Sequence, residues 1–543
     1  MNILDSRLGR GLFKLALTSL FLVAAGLSPA AAQSAAEGGT MVFAHEQEPG
    51  SLNILHPSAG GGAASATGGL FNVGTYRFPP GSDPVPFIIS KEAEITNDPF
   101  TVTYTIRDDA VWNDGTPITA ADYAFTYETI VNPDWTIANR RPYDLITGYE
   151  IISDKVIRFD FSQPYAYYQQ MFPLLLPKHD LEGKDWDTAW RDGPGVTNGA
   201  FKFEAWQKGQ QISFVKNEHY WADGPKLDRI VIRFVPETNT LLELLRSGEI
   251  DASDPQPQPQ IISAVAGLDG MKVNARSGLV TEFMRFNLKT PGLDKAFVRQ
   301  AIGMGIDRVA LVENLMGPID PEAKPTQSLF FEPTSPYYKP NFSSLDYDPA
   351  GAIALLEQNG CVRGADTVFE CDGVRLEFGY LSTSGNERRE LTFEIVQSFL
   401  AEVGIKVNAD FAPAAIQFGT RLPEGDFQII SHGGPYNDAK EILTVYGCDS
   451  PTNTTGYCNP EADKLANQAL QTPDAAARAE LMNQYEAIIA KDVALIPYFG
   501  LPRMVVYNSK RVEGFNVSPA QDGSVSIGGW YWNWNSHEFH RVQ

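Results

Sequence analysis

The feature that most constrains this 543-residue chain is a change of rhythm along it. In "FTVTYTIRDDAVW" (100–112), Phe100, Val102, Tyr104 and Ile106 alternate with Thr101, Thr103, Thr105 and Arg107. That period of two is the mark of a half-buried strand. "YEIISDKVIRFDFSQP" (149–164) reads as strand, turn and strand, with Ser153-Asp154 in the turn. "FKFEAW" (201–206) and "QISFVKN" (211–217) do the same around Gly209, and "DRIVIRFVP" (228–236) is one more strand. Then the period lengthens. "TNTLLELLRSGEID" (238–251) gathers Leu241, Leu242, Leu244 and Leu245 on a helix that stops at Gly248. "DKAFVRQAIGMGIDRVALVENLMG" (294–317) is helical with a break near Asp307, "DPAGAIALLEQNG" (348–360) is a capped helix, and "ERRELTFEIVQSFLAEVG" (387–404) is amphipathic. Strands such as "VRLEFGYLS" (374–382), "IKVNADF" and "DFQIIS" fall between helices. The pattern implies an α/β fold: lobes of largely parallel sheet wrapped by helices, plus a β-rich insert. The length admits roughly two to four domains.

Within the insert, "VWNDGTPITAADYAFTYETI" (111–130) raises the question of chemistry or scaffold. Asn113-Asp114-Gly115 is a turn signature. Thr119 is placed to cap a helix, and Asp122 suits its first turn, where acids meet the helix dipole. Trp112 ends a strand and is expected in the insert's core.

Both ends of the composition bear on location. Arg7, Arg10 and Lys14 precede the apolar run 15–27, and Ala30-Ala31-Ala32 follow. This reads as a secretory signal peptide over residues 1–32, cleaved after about Ala32; the run is short of the about 20 residues a membrane span needs. No cysteine near the site offers a handle for lipid. The chain carries 43 basic and 66 acidic side chains, a net charge of −23, which argues against nucleic acid as a partner. In an exported protein Cys361, Cys371, Cys448 and Cys458 suggest two local disulfides, Cys361–Cys371 and Cys448–Cys458, although four cysteines allow three connectivities. Their spacing does not fit a zinc site.

Catalytic motifs are missing. None of the seven histidines lies in a helical metal pair, and His537 and His540 read as a solvated tail. There is no G-x-S-x-G elbow and no Rossmann fingerprint, and the glycine-rich stretch 59–69 lacks the lysine of a phosphate loop. No catalytic residue, metal or cofactor is expected, with an exported hydrolase as the alternative from another class.

Several segments, in order, resemble the solute-binding proteins that deliver oligopeptides, dipeptides, nickel and related solutes to ABC importers (family 5). They are "VWNDGTPITAADYAF", "LLLPKH" (174–179), the long block 198–251, "MRFNLKTPGLDKAFVRQAIGMGIDRVAL" (284–311) and, more weakly, "GDFQIISHGGPYNDAKEILTVYG" (425–447). The resemblance implies a two-lobed periplasmic binding protein (type II, cluster C-like). Lobe I would take 33–69, 198–280 and 508–543, an inserted β-rich domain 70–197, and lobe II 281–507. It implies a monomer that closes on a small-molecule or peptide ligand and presents it to an ABC transporter permease, with no bond made or broken.

Ligand contacts are expected from Glu46 and Gln47 after the first strand, from Phe283, Arg285 and Asn287 along the strand after the hinge, and from His432, Gly433, Gly434, Tyr436 and Asn437. Arg388 and Arg389 read as a solvated helix start. Where peptide-binding members carry an aspartate for the ligand's amine, this chain has Pro435. A non-peptide solute (oligosaccharide, opine-like compound, nickel or haem) is therefore kept as an alternative.

Overall fold

The computed structural model describes residues 35–36, 38–59, 67–78, 84–276, 280–333, 335–435, 439–515, 533 and 535–542. The leader 1–32 lies outside them, as do Tyr436 and Asn437.

The early hairpins build an antiparallel sheet in the order Glu94–Asn97, Phe100–Thr105, Val156–Phe161, Ile146–Ser153. Alternation buries Phe100, Val102 and Tyr104 against helix Ala120–Val131 and the loop carrying Phe172. Tyr104 stacks on Tyr123 at 5.5 Å and meets Phe172 edge-on at 5.8 Å.

The stretch 111–130 feeds this core. Trp112 is fully buried. Its N–H donates to Thr116 O at 2.8 Å, and Gly115, at φ +87°, donates back to Trp112 O at 2.9 Å. Asp114 takes the Thr116 N–H at 2.9 Å and pairs with His179 Nε2 at 2.8 Å. Asp122 does more than face a helix dipole. Its buried carboxylate accepts the N–H of Thr119 at 2.8 Å and that of Lys178 at 2.9 Å. Replacing Asp122 with alanine orphans both donors and should cost about 1–3 kcal/mol. Thermal unfolding of D122A reads this, and an unchanged midpoint would contradict it.

A mixed seven-stranded sheet follows the order Met271–Arg276, Arg503–Asn508, Ala252–Ser253, Thr40–His45, Arg229–Phe234, Gln211–Lys216, Phe201–Gln207. Thr40–His45 is buried on both faces. Met41 and Phe43 meet Phe71, Phe214 and Phe539, while Ala44 meets Leu241 and Leu245 of helix Thr238–Ser247. That helix ends, as its sequence predicts, at Gly248 with φ +74°. The five-stranded sheet has the order Lys406–Ala412, Glu377–Thr383, Ile429–Pro435, Val280–Phe286, Leu495–Gly500. Among the helices that follow its first strand, Ala296–Gly305 and Arg308–Leu315 break at Asp307, whose carboxylate caps Ala310 N at 2.9 Å.

Neither sheet is largely parallel, contrary to the expectation from alternating elements. In the larger, Thr40–His45 has parallel neighbours on both sides; in the smaller, Glu377–Thr383 does; the other pairings are antiparallel. Links as short as 208–210 permit only antiparallel pairing, and local periodicity is blind to strand direction. Among the described residues, the chain changes sheet between Arg276 and Val280 and again at 501–502. There Leu501 N–H donates to Val280 O at 2.7 Å. Because Arg503–Asn508 pairs in the larger sheet, the final change of sheet comes before residue 507, where lobe II was expected to run.

Cys361 is bonded to Cys371 and Cys448 to Cys458. His537 is not solvated: it is buried against Tyr220 at 6.4 Å, and burial pushes its pKa down to about 4. The insert also leans on the helices beside the smaller sheet, with Ala166 N–H donating to Leu470 O at 2.7 Å.

Candidate functional site

Thr40–His45 and Ala252–Ser253 run parallel, so their carboxyl ends are neighbours. Open α/β sheets receive ligands beyond such ends. The residues that follow meet there, His45 Nδ1 standing 2.9 Å from Asp254 Oδ1. Beside them, Glu46 has its Oε1 sealed from solvent with no hydrogen-bond partner among the described residues. Burial pushes its carboxyl up to about 7; His45 and the hydrogen bonds of Gln256 pull the other way, and Asp254 adds to the rise. Gln47 is exposed.

The second wall comes from the smaller sheet. Val280–Phe286 pairs with Ile429–Pro435 so that Phe283 lies opposite His432 and Glu282 opposite Gly433. Phe283 meets the His432 ring edge-on at 4.7 Å, and Phe418 meets it at 5.5 Å. The Arg285 guanidinium donates to His432 Nε2 at 3.2 Å, while His432 Nδ1–H donates to Gly433 O at 2.9 Å. Both ring nitrogens are thus used by a neutral imidazole. Burial first, and the Arg285 charge second, push its pKa down to about 3. Gly433 permits this packing: a Cβ there would stand 2.7 Å from Leu501 Cδ1 and 3.2 Å from Glu282 Oε2. A Cβ on Gly434 would press the Phe283 ring at 3.3 Å.

Asn287 is occupied elsewhere. Its amide donates to Gly425 O and Phe427 O, each at 3.1 Å, and its Oδ1 takes the Lys289 N–H at 3.0 Å. The structure gathers Phe283, Arg285, His432, Gly433 and Gly434 on one wall and Glu46 on the other, and leaves Asn287 to the backbone.

The groups that sequence reading missed are charged and buried. Arg388 and Arg389 were expected as a solvated helix start; they are 3% and 8% exposed. Fully buried Glu282 stands between them, Oε2 at 3.0 Å from Arg388 Nη1 and Oε1 at 3.1 Å from Arg389 Nε. Arg389 also donates to Thr383 Oγ1 at 2.7 Å, which donates to Gln417 Oε1 at 2.9 Å. Burial would raise the Glu282 pKa, but the two guanidiniums hold it below the usual carboxylate range. One signal was available: a glutamate inside the apolar strand "VTEFMRF" requires a buried counter-charge.

The two walls touch at the start of helix Glu387–Glu402. Asn386 caps that helix, accepting from Arg389 N at 3.1 Å, and its Nδ2 donates to Gln256 Oε1 at 2.6 Å across the gap. Gln260 and Glu387 make a second contact. Among the described residues, no group of three or more His, Cys, Asp or Glu is placed to hold a metal ion, and no helix is long and apolar enough to cross a membrane.

A sequence profile described as bacterial extracellular solute-binding proteins, family 5 middle, matches residues 83–454. The chain belongs to this family. The oligopeptide-binding protein OppA of Bacillus subtilis is 26% identical over 479 residues, covering 82% of this chain and 85% of OppA. Among solved structures, NikZ from Campylobacter jejuni in complex with Ni(L-His) superposes with a TM-score of 0.82 at 22% identity, covering 92% of this chain and 99% of NikZ. AppA from Bacillus subtilis in complex with a nonapeptide gives 0.81 at 20% identity, covering 94% of this chain and 100% of AppA. These structures show that the family 5 protein described here has the two-lobed binding-protein fold. Its family consists of extracytoplasmic binding proteins rather than enzymes.

Proposed function

We propose that this protein captures a peptide between the seven-stranded and five-stranded sheets and delivers it to an ABC importer permease from the periplasm. Membership of family 5 carries this reading, and relatives such as OppA speak for a peptide. The signal peptide would be removed after about Ala32, with no lipid attached, and the mature protein would act as a monomer. Lobe I would comprise the larger sheet with the C-terminal segment, and lobe II the smaller sheet from about residue 280 to 501. The insert would ride on lobe I. Ligand contacts would come from Glu46 and Gln47 on one side and Phe283, Arg285, His432, Gly433 and Gly434 on the other, with Tyr436 and Asn437 beyond the second strand. The ligand must bind the closed form more tightly than the open one, since only differential affinity shifts that equilibrium.

The direct test is mass spectrometry of whatever co-purifies with the mature protein, followed by calorimetric titration of the recovered solute. One peptide bound per chain and recovered unchanged is the expected result. Turnover of peptides or glycosides by the purified protein would overturn the reading in favour of a hydrolase.

A further inference from the structure

Helix Glu387–Glu402 carries more apolar surface than its own core uses. Thr392, Phe393, Val396 and Leu400 are buried, and Phe393 packs on Tyr380 and Phe411 of the sheet at 5.3 and 5.4 Å. Beside that buried face run Leu391, Ile395 and Phe399, spaced four apart and so stacked on successive turns. Leu391 is 42% exposed. Tyr347 lengthens the stripe: its ring meets Phe399 edge-on at 5.6 Å and is itself 40% exposed. Helix Arg308–Leu315 packs alongside. Its start abuts the end of the longer helix, since a Cβ on Gly305 would stand 2.9 Å from Val403 Cγ2. Its cap, Asp307, acts on Tyr347 together with Glu402. Val309, its second residue, is 55% exposed. Apolar side chains scattered singly on a surface need no explanation, but a group of them along two packed helices marks an interaction site.

The charge bordering this stripe has one sign. Glu394 and Glu402 are exposed on the longer helix, and Glu313, four residues after Val309, is exposed on the shorter. None of the three forms an ion pair among the described residues. The basic residues of the two helices, Arg308, Arg388 and Arg389, are buried. Arg363 approaches at the last turn, where it donates to the Glu402 backbone carbonyl at 3.0 Å. The outer strand of the same sheet is different: Arg421 joins Asp410 and Asp426, and Arg375 and Lys406 share Glu377. There the fold neutralises its own acids; on the two helices it does not.

We infer that the face formed by Val309, Tyr347 and the stripe from Leu391 to Phe399 docks a segment of a partner protein that is apolar along one side and flanked by lysine or arginine. The apolar side of such a segment covers the stripe, and its cations answer Glu313, Glu394 and Glu402. A second copy of this chain fits poorly. Two-fold pairing sets a patch on itself, which brings carboxylates against carboxylates. An anionic lipid surface meets the same repulsion. Exposed charges of one sign act mainly on the rate of encounter, so docking should weaken as salt screens them. What lies between the two sheets plays no part in it.

The test uses the full mature protein and a fluorescent synthetic amphipathic helix of about five turns, with leucine on one face and lysine on its flanks. Two control peptides replace its lysines by glutamate or its leucines by serine. Anisotropy at low salt should show the leucine–lysine peptide binding at least tenfold more tightly than either control. The V309S/L391S variant should lose that binding by a similar factor. E313Q/E394Q should weaken it less and flatten its salt dependence. I151S/I152S, which alters exposed isoleucines on the insert, should leave it unchanged. All substituted side chains are exposed, and thermal midpoints measured alongside separate lost docking from lost folding. A peptide held between the sheets as solute would bind V309S/L391S as it binds wild type, so this variant distinguishes docking from capture. Binding that survives V309S/L391S, equal binding of the lysine and glutamate peptides, or no binding of the lysine peptide at low salt would overturn the inference. Sedimentation showing a wild-type dimer that V309S/L391S dissolves would overturn it in favour of a second copy.

Discussion

Replacing Glu282 with alanine should lower the unfolding free energy of the smaller-sheet lobe by about 3–5 kcal/mol, the range for removing one member of a buried ion pair. The effect comes less from what the pair contributes than from what its loss leaves behind. Arg388 and Arg389 would stay in place, both buried, with no carboxylate between them. Arg285 lies along the same strand, and neutral His432 offers no compensating charge. E282Q should be nearly as damaging, because it keeps the shape and removes the charge. The sign with pH can be stated as well. The folded-state pKa of Glu282 lies below its unfolded value. Its contribution is therefore fully present above the unfolded pKa and disappears only as pH falls through the lower, folded one. Urea denaturation of wild type and E282A at pH 7 measures the loss. A midpoint within error of wild type would show that the two arginines find water or each other tolerable, and would remove the electrostatic account of this wall.

The second large effect is expected at Trp112. It heads the fully buried side chains by size, and W112A should cost about 3–5 kcal/mol, as large aromatic-to-alanine truncations in cores do. The indole N–H is sealed and has no hydrogen-bond partner among the described residues. A phenylalanine there gives up area and volume but no polar contact, so W112F should be much milder than W112A. Unfolding of a chain this large need not be a single transition, so calorimetry should show the loss in the transition of the insert. Ligand affinity well below that transition should be unchanged, since Trp112 packs in the insert's core and not in the gap between the sheets. A fall in affinity without a fall in stability would place this residue in recognition instead.

These two residues also mark what a sequence does and does not disclose. Trp112 was readable because everything that explains it is local: a strand before it, a turn at Asn113-Asp114-Gly115, a capped helix after. The break at Asp307, the stop at Gly248 and the ten-residue disulfide loops were readable for the same reason. Glu282 and Arg388 meet across more than a hundred positions, and helical spacing says which residues share a face but not what that face will meet. Arginines at a helix start look solvated unless their acceptor is known. Asn287 failed in the opposite direction: it comes directly after the strand Val280–Phe286, and its amide is consumed by two carbonyls that only the folded chain brings near. Strand direction was lost because a period of two is the same read forwards or backwards.

The two crossings between the sheets are tied together by the bond from Leu501 N–H to Val280 O. A joint made of two bonded strands folds along the line between them and resists sliding, much as a book's spine allows opening but not shear. In the proposed capture, such a joint would favour one path of approach between the lobes. Glu282 sits two residues from that spine and Gly433 packs against Leu501. Glu282 and its two arginines thus stand beside the crossing, where a change of angle between the sheets would act on them first.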